Sequence, residues 1–110
     1  MKLGLAALFL TIAASAHAQT HHCAADAIAK AKPLLHLQYG MDDPAQNFSV
    51  EDTVKVLPPI KALKGSGHFD VLEIWGHIYK ADYRMRFIYA QIKGDCVLMG
   101  QEILEASNLY

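Results

Sequence analysis

Two segments of this 110-residue chain have side chains whose type and spacing could support chemistry, and the first is a short histidine segment. Gln19-Thr20-His21 is followed directly by His22. If the mature chain begins at Gln19, its amine, two backbone amides and the His21 imidazole can bind Cu(II) or Ni(II) in a square plane. His22 would add a second imidazole. Cyclisation of the N-terminal glutamine would remove the amine, so metal binding is an alternative hypothesis rather than the leading one.

The second segment carries Glu73, His77 and Tyr79 at alternating positions. On a strand their side chains share one face, where a carboxylate, an imidazole and a phenol could act as acid and base. No neighbouring residue orients them, and alternating polar and aromatic residues are typical of an ordinary strand. We therefore expect no enzyme, no catalytic residue and no cofactor beyond the Cu or Ni of the alternative.

Cys23 and Cys96 are the only two cysteines of the chain. They do not form a Cys-x-x-Cys pair, the spacing typical of thiol redox catalysts. In an oxidising compartment two distant cysteines favour a structural disulfide. The sequence therefore predicts one disulfide that joins the two ends of the domain.

The N-terminal segment predicts such a compartment. Lys2 precedes an apolar run from Leu3 to Ala14, and Ala16-His17-Ala18 has the small residues of a signal-peptidase cleavage site. We interpret residues 1–18 as a bacterial-type signal peptide and residues 19–110 as a single domain in the periplasm or the medium. The apolar run is shorter than the roughly 20 residues that span a bilayer, so we expect no membrane insertion after cleavage.

Composition narrows the class of partner. Hydrophobic residues make up 53% of the chain, charged residues 19%, and the formal net charge is −1. Disordered chains are less apolar and more highly charged, and nucleic-acid-binding surfaces carry a basic excess. We therefore expect a folded domain that binds an unknown protein partner or its own copy, and no nucleic acid.

The residues from Cys23 to Tyr39 predict an amphipathic helix. Apolar residues recur there at spacings of three and four, alanine is frequent, and Gly40 stands where such a helix would end. Pro33 lies inside this segment and lacks a backbone N–H, so we expect the helix to kink or restart there.

The rest of the chain predicts strands. Val54 to Leu57 runs into Pro58-Pro59 before Ile60 to Leu63 resumes, so this strand is either interrupted or lies at a sheet edge. Three further segments are rich in aromatic and β-branched residues: Phe69–Tyr79, Tyr83–Ile92 and Cys96–Leu104. One N-terminal helix on an antiparallel meander of about four strands is an α+β domain.

The strand register depends on the two connectors, Lys80-Ala81-Asp82 and Lys93-Gly94-Asp95. If both are three-residue loops, Trp75 lies opposite Phe87 and Arg86 lies opposite Glu102. A two-residue turn at Gly94-Asp95 would exchange the faces of the last strand, and this alternative remains open.

Under this register the helix covers the face that carries Cys96, because that residue must reach Cys23 at the start of the helix. Gly76 and Gly100 lie on the same face and would let the helix approach closely. The predicted partner-binding residues lie on the opposite face: Trp75, His77, Tyr79, Met85, Phe87 and Tyr89.

That opposite face is too apolar for open solvent. The loop from Met41 to Asn47, a second copy of the protein or a foreign partner could cover it. Our leading hypothesis is a small exported, non-enzymatic interaction or inhibitor-like module that uses this aromatic face. The alternative is a periplasmic Cu- or Ni-binding protein that uses Gln19-Thr20-His21, with His21 and His22 as metal ligands.

Overall fold

A computed structural model of the chain describes residues 21–39 and 48–106. Within these ranges the structure contains one α-helix and five β-strands. Their bounds are α1 Ala24–Tyr39, β1 Phe48–Val50, β2 Lys55–Lys61, β3 His68–Ile78, β4 Ala81–Ile92 and β5 Asp95–Glu105. The predicted α+β class is therefore confirmed. The predicted signal peptide and the predicted 41–47 loop lie outside the described residues.

Helix α1 is continuous from Ala24 to Tyr39, so the predicted break at Pro33 is wrong. The proline removes the hydrogen bond that residue 33 would donate to the carbonyl of Ala29. Both Ala29 and Pro33 are exposed, so water can satisfy that carbonyl without a break in the helix. No helix among the described residues is long and apolar enough to cross a membrane.

The five strands form one antiparallel sheet in the order β1-β3-β4-β5, and β2 also pairs with β3. β1 pairs with residues 76–78 and β2 with residues 68–73, so these two short strands lie end to end along the same edge of β3. The predicted meander is confirmed, although β1 was not predicted. Strand β1 lies before Val54, where the strand pattern of the sequence begins, so this pattern did not predict it.

Strand β2 is an interrupted edge strand, as Pro58-Pro59 predicted. Its pairing with β3 shifts register between Leu57 and Ile60, around the two prolines. Proline has no N–H to donate to a ladder, so it is tolerated at an edge or a bulge. One edge of the sheet is therefore shortened and irregular.

The tight turn between β3 and β4 overturns the predicted register of these two strands. Tyr79-Lys80 forms a two-residue turn in which Tyr79 has a φ of 54°, so Trp75 lies opposite Arg84 instead of Phe87. Lys93-Gly94 also forms a two-residue turn, with φ values of 53° and 81°. The pairing of Arg86 with Glu102 is as predicted. The register between β3 and β4 changes by an odd number of residues, so the faces of β4 are exchanged relative to our expectation.

The helix covers one face of the sheet, which we call the inner face. Its buried core contains Cys23, Ala27, Ala31, Leu34, Leu35, Leu72, Ile74, Ile78, Tyr83, Met85, Phe87 and Tyr89. Alternate residues of each strand point to the same face, so β4 contributes its tyrosines, methionine and phenylalanine to this core. The arginines of β4 therefore lie on the other face of the sheet.

Gly76 allows the helix to approach β3, as predicted. A methyl group at this position would lie 2.9 Å from Met85 Cε and 3.1 Å from Leu35 Cδ2. Gly100 does not have this role. It pairs with Ile88 on the opposite face, and a methyl group there would meet only Ile88 Cδ1, at 3.7 Å.

The predicted disulfide between Cys23 and Cys96 is present, with a Cα–Cα distance of 5.7 Å. It joins the start of α1 to the start of β5. The two cysteines are 73 residues apart in sequence. In the chain-entropy model, closing a loop of this length stabilises the folded state by roughly 4 kcal/mol.

Candidate functional site

The second face of the sheet points away from α1, and no described element packs over it. We call it the open face. It is formed by Lys55, Leu57, Phe69, Val71, Glu73, Trp75, His77, Asp82, Arg84, Arg86, Ile88, Ala90, Val97, Glu102 and Leu104. This face combines charged, aromatic and aliphatic side chains.

A row of alternating charges crosses the middle of the open face. Lys55, Glu73, Arg86 and Glu102 are neighbours on successive strands. Opposite charges directly across from each other stabilise antiparallel pairs. The row therefore helps to hold the four strand positions in register.

Glu73 is the buried member of this row, with only 7% of its surface exposed. Arg86 Nε donates a hydrogen bond of 2.9 Å to one carboxylate oxygen, and Trp75 Nε1 donates one of 3.2 Å to the other. A buried carboxylate requires such partners, because its desolvation is otherwise costly. Glu73 therefore orients both the indole of Trp75 and the guanidinium of Arg86.

Arg84 and Arg86 both reach towards Glu102. Arg84 Nη2 lies 3.9 Å and Arg86 Nη1 lies 3.8 Å from Glu102 Oε1, which are long ion pairs. Arg84 Nε is buried and has no hydrogen-bond partner among the described residues. The two guanidinium groups are partly exposed, so part of their hydrogen-bonding capacity is available to another molecule.

Apolar side chains lie on both sides of the charged row. Trp75 and Leu104 flank it on one side, and Leu57, Val71 and Ile88 on the other. Leu104 is 58% exposed, and Met99, which lies in the bulge of β5, is 53% exposed. Tryptophan, methionine and arginine are the residue types enriched at protein interfaces.

His77 lies at the end of the open face between two carboxylates. Its Nδ1 is 2.6 Å from Asp82 Oδ1 and its Nε2 is 3.2 Å from Glu51 Oε2. The hydrogen bond with Asp82 is the main reason that the pKa of His77 is raised, and the bond with Glu51 adds to it. His77 therefore links the start of β4 to the segment that follows β1.

The six predicted partner-binding residues do not share one face. Met85, Phe87 and Tyr89 are completely buried in the core under the helix. Trp75 and His77 lie on the open face, and Tyr79 lies in the β3–β4 turn with 80% of its surface exposed. The prediction of a shared face is wrong because the turn contains two residues where we expected a three-residue loop.

Sequence reasoning missed Arg84, Arg86 and Leu104 as residues of the open face. A signal for the two arginines was present in the sequence. Tyr83-Arg84-Met85-Arg86-Phe87 alternates strictly between apolar and charged residues, which predicts that the arginines point away from the core. Leu104 lies on the same face as Arg84, because the two residues pair across β4 and β5.

The three residues considered as acid and base have other contacts or another location in this structure. Both oxygens of Glu73 are hydrogen-bonded to Trp75 and Arg86, and both ring nitrogens of His77 face carboxylates. Tyr79 lies in a turn rather than on the strand face. The contacts of Glu73 and His77 link β3 to β4 and to the segment that follows β1.

His21 and His22 stack with ring centroids 4.8 Å apart, beside the disulfide. His21 Nδ1 accepts a hydrogen bond from the Cys23 N–H at 3.0 Å, so Nε2 carries the proton and donates to Asp70 at 3.2 Å. His22 Nε2 donates to Gln91 Oε1 at 2.6 Å.

These hydrogen bonds bear on the predicted metal site. Bound Cu(II) or Ni(II) would need an imidazole lone pair, and that of His21 is occupied by the Cys23 N–H. The sulfur of Cys23 is in the disulfide and is not a thiolate ligand. Gln19 and Thr20 lie outside the described residues, so metal binding by Gln19-Thr20-His21 stays a prediction.

No protein-family model, no curated protein and no solved structure matches this chain.

Proposed function

We propose that this protein is an exported, non-enzymatic module that binds another protein through the open face of its sheet. The observation that carries the proposal is the uneven coverage of the sheet. Helix α1 buries the inner face, whereas the open face presents the half-buried Trp75, two partly exposed arginines and Leu104, which is 58% exposed. A sheet face exposed only to solvent is normally more polar than this one.

The composition of the open face favours a foreign protein as its occupant. Interface centres are rich in tryptophan, methionine and arginine, and their rims are polar. Trp75 is held by Glu73, so little side-chain entropy would be lost when a partner packs against it. The partly exposed guanidinium groups of Arg84 and Arg86 make only long ion pairs with Glu102, so their remaining N–H groups can donate to carboxylates or carbonyls of a partner.

Export to the periplasm or the medium is part of this proposal. The disulfide between Cys23 and Cys96 supports it, because such bonds persist in oxidising compartments. Cleavage after Ala18 would produce a mature chain that begins at Gln19. Mass spectrometry of the secreted protein tests this, and a chain that retains residues 1–18 would contradict it.

The binding test uses exposed apolar residues that can be changed without disturbing the core. Leu104→Lys alters the open face, Met99→Lys alters the bulge of β5 next to it, and Leu37→Lys is the matched control on the exposed side of α1, where Leu37 is 75% exposed. Each variant is checked for folding by circular dichroism. Partners are then captured from the cell envelope or medium, identified, purified and titrated against each variant.

We expect Leu104→Lys or Met99→Lys to weaken the purified complex at least about tenfold, as for a residue near the centre of an interface. Leu37→Lys should bind like the wild type. Equal binding by all three folded variants would refute the open face as the site. If Leu104→Lys instead converts a dimer of this chain to a monomer, the occupant is a second copy and the proposal of a foreign partner is wrong.

A further inference from the structure

The two edges of the sheet differ in how they are protected from pairing with another chain. The β1–β2 edge is interrupted between Val50 and Lys55 and has a register shift around Pro58-Pro59. It also carries Lys55 and Lys61. Short strands, prolines, bulges and lysines are the usual devices that stop an edge from accepting a further strand.

The β5 edge lacks most of these devices. β5 is 11 residues long and contains neither proline nor lysine. None of its residues is buried, and no described strand pairs with its outer side. The bulge at Met99 divides it, but the six residues Gly100–Glu105 pair regularly with β4. Every second backbone N–H and C=O of such an edge points away from the sheet and is available for pairing.

We propose that β5 binds an extended, basic segment of another protein by strand addition. The charge of β5 identifies the chemistry of the partner. It carries Asp95, Glu102 and Glu105 and no basic residue. All three carboxylates are exposed, and Glu102 has only the long ion pairs with Arg84 and Arg86. Asp95 and Glu102 lie on the open face and Glu105 lies on the inner face, so lysine or arginine side chains at alternate positions of an added strand would lie beside Asp95 and Glu102.

The same charges argue against a second copy of this chain as the occupant. Antiparallel pairing of two β5 strands would bring the carboxylates of both copies to one seam. Like charges across a strand pair are destabilising. A basic foreign segment gains the same backbone hydrogen bonds without that repulsion.

This inference rests on the proposed role in protein binding. Strand addition uses backbone groups of β5, whereas binding at the open face uses side chains. The two can therefore fail separately. Loss of binding in Leu104→Ala, which adds no charge to β5, tests the open face, whereas protection of the β5 backbone amides tests strand addition. A partner that needs the open face but leaves β5 amides unprotected would retain the first proposal and overturn the second.

The experiment measures amide hydrogen exchange of the full domain by NMR, with synthetic peptides as probes. The main probe is a blocked peptide that alternates lysine and valine, used up to about 1 mM, the range of weak single-strand contacts. A peptide with glutamate in place of lysine tests the charge. A basic peptide with N-methylated amides keeps its charge but lacks the donors for strand pairing.

We expect the lysine–valine peptide to slow exchange of alternate β5 amides at least about tenfold and to leave β2 unchanged. The glutamate peptide should give no protection, and the N-methylated peptide should bind at least about tenfold more weakly, since strand pairing loses its hydrogen bonds. Absence of β5 protection at the highest concentration, or equal binding by the N-methylated peptide, overturns the proposal.

A pair of charge variants completes the test. Glu102→Gln removes the carboxylate that lies on the same face as the lysines of the probe, and it keeps an oxygen beside Arg84 and Arg86. It should weaken binding of the basic peptide about two- to fivefold, the size of one exposed ion pair. Asp52→Asn, on the opposite edge, should have no effect. β5 protection that grows with protein concentration without peptide would identify a second copy and refute the basic segment.

Discussion

The hydroxyl of Tyr89 donates a hydrogen bond of 2.7 Å to Asp26 Oδ2, which ties the centre of the sheet to the first turn of the helix. Tyr89 is completely buried, and burial raises its pKa, so the hydroxyl stays protonated. Lys30 donates to the same oxygen of Asp26 from one helical turn further on. This contact sets the position of α1 along the sheet at the end where the disulfide also holds it.

Removing the donor and removing the acceptor of this hydrogen bond should destabilise the fold by different amounts. Tyr89→Phe removes the donor and leaves Asp26 paired with Lys30, so we expect a loss of about 1 kcal/mol. Asp26→Ala leaves the Tyr89 hydroxyl buried without its acceptor, which should cost about 1–3 kcal/mol. Urea denaturation at neutral pH measures both. An Asp26→Ala loss smaller than that of Tyr89→Phe would show that water replaces the carboxylate.

The same carboxylate should make stability depend on acidic pH. Hydrogen bonds from Lys30 and from Tyr89 lower the pKa of Asp26 in the folded state. Its contribution is therefore complete above the unfolded pKa of about 3.9 and is lost as the pH falls through the lower folded pKa. The effect is small, because Asp26 is 39% exposed. Urea midpoints between about pH 5 and about pH 2 should fall less steeply for Asp26→Asn than for the wild type.

His77 should show the opposite dependence. Its contacts with Asp82 and Glu51 raise its pKa above the usual value of about 6.5. The stability from this cluster is present below about pH 6.5 and is lost as the pH rises through the folded pKa. NMR titration of the ring protons gives the pKa directly, and Asp82→Asn should lower it. A wild-type pKa at or below 6.5 would mean that desolvation outweighs the carboxylates.

Alanine substitutions at Gly76 and Gly100 should change stability in different directions, because only Gly76 lies against the helix. Gly76→Ala places a methyl group 2.9 Å from Met85 Cε and should cost about 1–3 kcal/mol through overpacking. Gly100→Ala is the matched control on the open face, where alanine should be neutral or stabilising by up to about 1 kcal/mol. Thermal denaturation of both variants tests this. Equal melting temperatures would mean that Met85 moves aside without cost.

Loss of the disulfide should be the largest single effect. Replacing both Cys23 and Cys96 by alanine should lower the free energy of unfolding by roughly 4 kcal/mol, because the unfolded chain regains the entropy of the open loop. The single Cys96→Ala variant should lose a similar amount. Urea curves with and without reductant measure the change. A wild-type midpoint unaffected by full reduction would show that packing, not the cross-link, stabilises the domain.

Local patterns in the sequence predicted the helix and the longer strands, but not β1. The three- and four-residue spacing of apolar residues predicted α1, and the aromatic and β-branched segments predicted β3, β4 and β5. The two cysteines predicted the disulfide, and Pro58-Pro59 predicted an irregular edge strand. These features depend on residues close in sequence, or on there being only one pair of cysteines to join.

The register of the hairpins required the tertiary structure. Tyr79 adopts a left-handed backbone conformation that is unusual for an aromatic residue. The residue types at this turn therefore do not predict a two-residue turn. Only the packed sheet, which buries Met85 and Phe87 under the helix, selects this turn. Shifting the β3–β4 pairing by an odd number of residues moves every side chain of β4 to the other face.

The sequence alone thus determined that one helix, a disulfide and an antiparallel meander would form one α+β domain. The tertiary structure decided which residues the helix covers, and so placed Trp75 beside Arg84 instead of beside Phe87. It also exposed the contrast between the protected β2 edge and the open β5 edge. The physical reason is that periodicity defines the two faces of each strand, whereas the assignment of a face to core or solvent depends on turn geometry and on packing between distant segments.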